Sequence, residues 1–71
     1  MQMSFEVDGQ KLRGLRVKRA LSLRALAERS GVSFATINNL ENAKRPARLV
    51  TIRKLAEALG VEPTELMKGE E

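Results

Sequence analysis

Apolar residues return every three or four positions over most of this chain, the period of amphipathic helices. Leu12 and Leu15, with Arg13, Lys18 and Arg19 around them, predict a first helix over residues 9–20, capped by Asp8. The pattern breaks at Ala20-Leu21-Ser22. Ser22 then caps a second helix, residues 23–30, where Leu23, Leu26, Ala27 and Ser30 fall at i, i+3, i+4 and i+7. Gly31 ends it, and only Val32 separates that glycine from the next cap, Ser33. On a third helix, residues 34–42, Ile37, Leu40 and Glu41 gather on one side. Ala35, Asn38, Asn39 and Asn42 gather on the other, with Thr36 at the margin. Residues 49–59 carry the clearest stripe, Leu49, Ile52, Leu55, Ala56 and Leu59, and Gly60 closes it. Pro63 opens a short fifth helix through Met67, with Leu66 inward. Residues 1–8 lack a helical period and are expected as a flexible arm, residues 69–71 as a tail. The reading is one all-α domain, residues 9–68: a compact five-helix bundle with tight connections.

Composition narrows the chemistry. The chain has 71 residues, with neither Cys nor His. Disulfides and thiolate metal sites are excluded, and the commonest metal ligand and general base is missing. No nucleophile–base pair stands out, so neither an enzyme nor a metal or cofactor is expected. No apolar run approaches the roughly 20 residues that span a bilayer. Residues 1–8 lack the basic and apolar regions of a secretory signal. No membrane partner is expected, and a cytoplasmic, nucleoid-associated place is. Two Phe are the only aromatics, too few for a platform that stacks single-stranded bases. Charge is segregated: residues 11–54 hold twelve bases and two acids, a net of +10, and the rest of the chain holds one base and seven acids, a net of −6. Such a block is the electrostatic footprint of a polyanion binder.

The segment Leu23–Leu40 focuses that expectation. Two helices of about two turns are joined by Ser30-Gly31-Val32-Ser33, a turn short enough to force a sharp corner. A helix so presented can enter the roughly 12 Å wide major groove of DNA; the competing reading is a purely structural corner. The polar face of the third helix favours the groove. Asn is a poor helix former, and three of them in five residues are a cost unless their amides are used, as in a bidentate pair with adenine. Asn38 and Asn39 are therefore candidate base contacts. Phe34 and Ala35 offer apolar contact to a thymine methyl, although Phe34 would serve equally as a core ring. Arg24, Ser33, Thr36, Asn42, Lys44, Arg45 and Arg48 surround this helix and are the candidate backbone contacts, which set register without reading sequence. Arg16 and Glu41 interrupt the patterns of their helices beside apolar stripes, as an ion pair tying the first helix to the third would require.

The words Leu15-Arg16, Leu26-Ala27-Glu28-Arg29-Ser30-Gly31-Val32-Ser33, Ile37, Leu40-Glu41-Asn42 and Leu55-Ala56-Glu57-Ala58-Leu59-Gly60-Val61 resemble the Cro/C1-type, or Xre-type, helix-turn-helix family. The resemblance implies a five-helix domain that binds operator DNA as a homodimer. It implies base contacts at Phe34, Ala35 and Asn39 with Asn38 beside them, a structural ion pair Arg16–Glu41, and backbone contacts at Asn42, Lys44 and Arg45. The chain departs from the family at two positions. Leu23 replaces a Gln that contacts the backbone, and Ala43 replaces a Gly, so that either Asn42 takes the left-handed conformation or the helix runs on.

A sequence-specific regulator of transcription, in the manner of a repressor on a palindromic operator, is the leading expectation. Its half-sites would lie about 34 Å apart, with Leu66, Met67 and the chain start as dimer surface. The alternative is a protein-interaction module of the same fold, such as a toxin-binding antitoxin. Leu23 and the apolar Phe34-Ala35 pair favour that alternative, and the basic block opposes it.

Overall fold

The computed structural model describes residues 4–42 and 45–68. Four α-helices carry the fold: α1 (Gly9–Lys18), α2 (Leu23–Ser30), α3 (Phe34–Glu41) and α4 (Leu49–Leu59), followed by a single 3-10 turn, Pro63–Leu66. Two short strands, β1 (Ser4–Phe5) and β2 (Ala47–Arg48), pair antiparallel.

Local chemistry sets the helix starts. The Asp8 carboxylate accepts from the Lys11 amide, the Ser22 hydroxyl from Ala25 and the Ser33 hydroxyl from Thr36, each at 3.0–3.1 Å. Each satisfies one of the amides that a helix leaves unpaired in its first turn. Gly31 and Gly60 close α2 and α4 in the left-handed conformation, at φ 77° and 73°.

α1 stops two residues before the expected residue 20, and the reason is Ala20. Its φ is 58°, and among the described residues it alone is a non-glycine with positive φ. The Ala20 amide donates to the Val17 carbonyl, and the Leu21 amide reaches back to the Arg16 carbonyl. These two bonds make a Schellman closure built on alanine where glycine is usual. A left-handed alanine costs about 1–2 kcal/mol. Ala20→Gly is therefore expected to raise stability by about 1 kcal/mol, seen as a higher thermal midpoint; an unchanged or lower midpoint would mean that the strain is relieved elsewhere.

The core joins every element. Leu12 comes from α1, Leu26 from α2, Ile37 and Leu40 from α3, and Ile52, Leu55, Ala56 and Leu59 from α4. Val7 and Val32 complete it from connecting segments, Ala47 from β2 and Leu66 from the 3-10 turn. No polar or charged residue among the described residues is fully buried.

Three expectations need correction. Residues 4–8 are not a loose arm: Ser4 and Phe5 pair with Arg48 and Ala47, Val7 bridges Met67, and Val7 is only 5% exposed. The Asp8 amide donates to the Leu66 carbonyl, and the Lys68 amide to the Glu6 carbonyl. Burial of Val7 and Phe5 outweighs the cost of ordering a short terminal segment. Leu66 is 1% exposed within its own core and so offers no surface to a second copy. The fifth helix is the 3-10 turn, too short to complete an α-helical ladder.

Candidate nucleic-acid interface

α2 and α3 are held at their corner by Gly31, whose amide donates to the Ala27 carbonyl, and by Ser30, whose hydroxyl accepts from the Val32 amide at 3.1 Å. Val32 is buried in the corner, so the turn is anchored to the core. Ile37 and Leu40 press one side of α3 inward. Ser33, Phe34, Ala35, Asn38 and Asn42 are exposed, and Thr36 and Asn39 are half-buried. α3 thus offers an uncharged surface, polar apart from Phe34 and Ala35.

That surface divides into two rows. Thr36 and Asn39 line a cleft of about 200 Å³ with Arg45, Arg48 and Thr51. Asn38 and Asn42 form the other row. The Asn42 side-chain amide donates to the Asn38 carbonyl at 2.9 Å and approaches its Oδ1 at 3.4 Å. Asn42 therefore ends the helix through its side chain, with φ −92° and not the left-handed conformation. The Ser33 hydroxyl also donates to the Thr36 hydroxyl at 2.8 Å, so the backbone and side chains at the helix start are fixed together. Phe34 is 46% exposed and lies outside the core, with the Arg24 guanidinium 5.8 Å from its ring centroid.

Cations flank α3, Arg24 beside Phe34 and Arg45 and Arg48 beside Thr36 and Asn39. Arg24 projects from the first turn of α2, and Arg45 and Arg48 from the segment before α4. The start of α4 has no side-chain cap and no acid in its first turn, so its leading amides are disposed to meet an anion. Lys44 lies outside the described residues.

Arg16 and Glu41 fix α3 from behind. Arg16 Nε donates to Glu41 Oε2 at 2.6 Å and Nη2 to Oε1 at 3.1 Å, a bidentate fork. Nη1 donates to the Leu21 carbonyl at 2.8 Å, so one guanidinium joins α1, the α1–α2 turn and the end of α3. The side chains are 12% and 6% exposed. The Glu41 hydrogen bond raises the Arg16 pKa above its ordinary value, and its charge adds to this against the opposing effect of burial. Arg16 therefore stays charged at every pH below the guanidinium range.

Gly9 is a contributor that the sequence did not single out. A Cβ built there would lie 2.5 Å from the Glu41 carbonyl oxygen and 2.6 Å from that of Leu40. α1 begins against the backbone of the end of α3, and only glycine admits that approach. Nothing in the pattern of polar and apolar positions marks it.

No helix among the described residues is long and apolar enough to cross a membrane.

A helix-turn-helix family model matches residues 12–66. The chain is 48% identical over 64 residues to the transcriptional repressor RghR of Bacillus subtilis, covering 89% of this chain and 47% of that protein. The restriction-modification controller protein C.AhdI of Aeromonas hydrophila superposes with a TM-score of 0.78 at 44% identity, over 83% of this chain and 89% of that one. A mutant hydroxyethylphosphonate dioxygenase superposes with a TM-score of 0.79 at 24% identity, but over only 14% of its length, a likeness of fold alone. The chain spans less than half the length of the curated relatives it matches. The Leu-Ala…Gly-Val-Ser…Ile…Leu-Glu order, the corner between α2 and α3 and these matches lead to one assignment: the chain belongs to the Cro/C1-type helix-turn-helix family of DNA-binding regulators.

Proposed function

We propose that this chain represses transcription by binding a two-fold symmetric operator as a homodimer, with α3 as its reading helix. The observation that carries the reading is the exposed, uncharged face of α3 with Arg24 beside its first residue and Arg45 and Arg48 along the cleft of Thr36 and Asn39. Ala35, Asn38 and Asn39 touch base edges, Asn39 through the cleft it shares with Thr36. Ser33, Thr36, Asn42, Lys44, Arg45 and Arg48 touch the sugar–phosphate backbone. Two copies double the phosphate contacts of so small a domain, which is the physical case for the homodimer. The likeness to a named repressor supports the direction of control.

The test is selection from a random duplex pool at two salt concentrations, followed by sequencing. A symmetric motif, with affinity falling steeply as salt rises, is the expected result. Salt-sensitive retention without a motif would leave backbone binding only, and no retention would turn attention to a protein partner. On the selected site, Asn39→Ala is expected to cost about 1–3 kcal/mol and relax preference at one position, whereas Arg45→Ala weakens every duplex alike and flattens the salt slope by about one unit. Equal loss on all sequences for Asn39→Ala would count against base reading.

A further inference from the structure

The pair Arg24 and Phe34 is more specific than a phosphate contact beside an apolar one. We propose that, within the DNA-reading role above, these two side chains together read a 5-methylpyrimidine followed by guanine, that is, a TpG or 5-methyl-CpG step. Phe34 is the first residue of α3, at the end that the corner presents outward, and almost half its surface is exposed. A phenyl ring has no donor or acceptor, so its gain in a groove comes only from covering something apolar. On the major-groove edge of the bases that group is the pyrimidine 5-methyl, present on thymine and on methylated cytosine and absent from cytosine.

Arg24 supplies the second half. Its guanidinium sits over the ring at 5.8 Å, within cation–π range. Among the described residues it takes part in no hydrogen bond or ion pair, so its donors are left for a ligand. A cation–π contact restricts the rotamers of the fork before any ligand arrives, a benefit for bidentate recognition and of little use to a point-charge contact with phosphate. The base edge that accepts a bidentate Arg is guanine, through O6 and N7. Successive bases on one strand lie about 3.4 Å apart along the axis, so a guanidinium 5.8 Å from the ring centroid can reach the base next to the one the ring covers. A ring on the methyl and its neighbouring guanidinium on the adjoining guanine satisfy both groups at once.

The experiment uses the whole chain and the motif recovered from the duplex pool, resynthesised with single-base replacements. Uracil for the thymine is expected to weaken binding about fourfold, the value of one buried methyl. Cytosine in its place weakens binding at least as much, and 5-methylcytosine restores it. The 7-deaza form of the guanine weakens binding about tenfold by removing one acceptor of the pair. Phe34→Ala erases the difference between thymine and uracil, and its folding is checked by thermal melting. Arg24→Ala erases the 7-deaza penalty, and Arg24→Lys, which keeps the charge without the fork, behaves like Arg24→Ala. Arg24→Lys binding with unchanged preference would make Arg24 a phosphate contact and overturn the proposal, as would a motif in which no step discriminates thymine from uracil. A pool yielding no motif at all would remove the operator reading first and the role of this pair with it.

Discussion

Glu41→Ala is expected to destabilise the domain by about 3–5 kcal/mol, the cost of leaving one partner of a desolvated ion pair alone. The fork from Arg16 would lose both its charge partner and two acceptors, while Nη1 remained bound to the Leu21 carbonyl. In a domain of this size each kcal/mol moves the thermal midpoint by about 4–8 °C, so a drop of well over 10 °C is the measurable result. Replacing both partners by apolar residues, Arg16→Met with Glu41→Leu, is expected to recover much of that stability, because neither charge is then stranded. Recovery of DNA binding is not expected to follow fully, since the fork also sets the angle of α3 against α1. A single Glu41→Ala variant that melts within about 1 kcal/mol of the parent would mean that the pair is solvated in solution and does not organise the corner.

Gly9→Ala has the second largest expected effect. The new methyl would meet two carbonyl oxygens of the end of α3 at 2.5 and 2.6 Å, and the Glu41 carbonyl carbon at 2.9 Å. These are backbone atoms, which cannot turn aside as a side chain can. α1 must withdraw from α3, at a cost of about 1–3 kcal/mol from overpacking and with further loss where the shift loosens the Arg16 fork. Gly14→Ala is the natural control. It lies in the same helix with nothing within 4 Å of the added carbon, and is expected to gain about 0.5–1 kcal/mol from helix propensity. Thermal melts of the two variants should move in opposite directions. If Gly9→Ala melts no lower than the parent, the close approach of α1 and α3 is not maintained in solution.

Features decided within a few residues were legible in the sequence. Asp8, Ser22 and Ser33 marked three helix starts, and Gly31 and Gly60 marked two ends, because caps and left-handed turns are local chemistry. The apolar stripe of residues 49–59 led to the four core residues of α4 for the same reason. Ala20 misled because alanine carries no signal for the left-handed turn that ends α1. The pairing of residues 4–5 with 47–48 was hidden because two-residue strands have no measurable period and their partner lies more than forty positions away. At the interface, the residue types on α3 could be read from its period. The cation–π contact of Arg24 with Phe34 and the turning back of Asn42 depend on distances that only the folded chain defines.

The backbone bonds Asp8 to Leu66 and Lys68 to Glu6 bring residues 6 and 68 side by side. The polypeptide therefore enters and leaves this domain at one point on its surface. A unit with such neighbouring entry and exit can be set within another chain, or repeated in tandem, without stretching the host or prising the domain apart. Modularity of this kind needs no hinge or long linker, because it is carried by three short segments, residues 4–8, 47–48 and 66–68, stitched together at the seam.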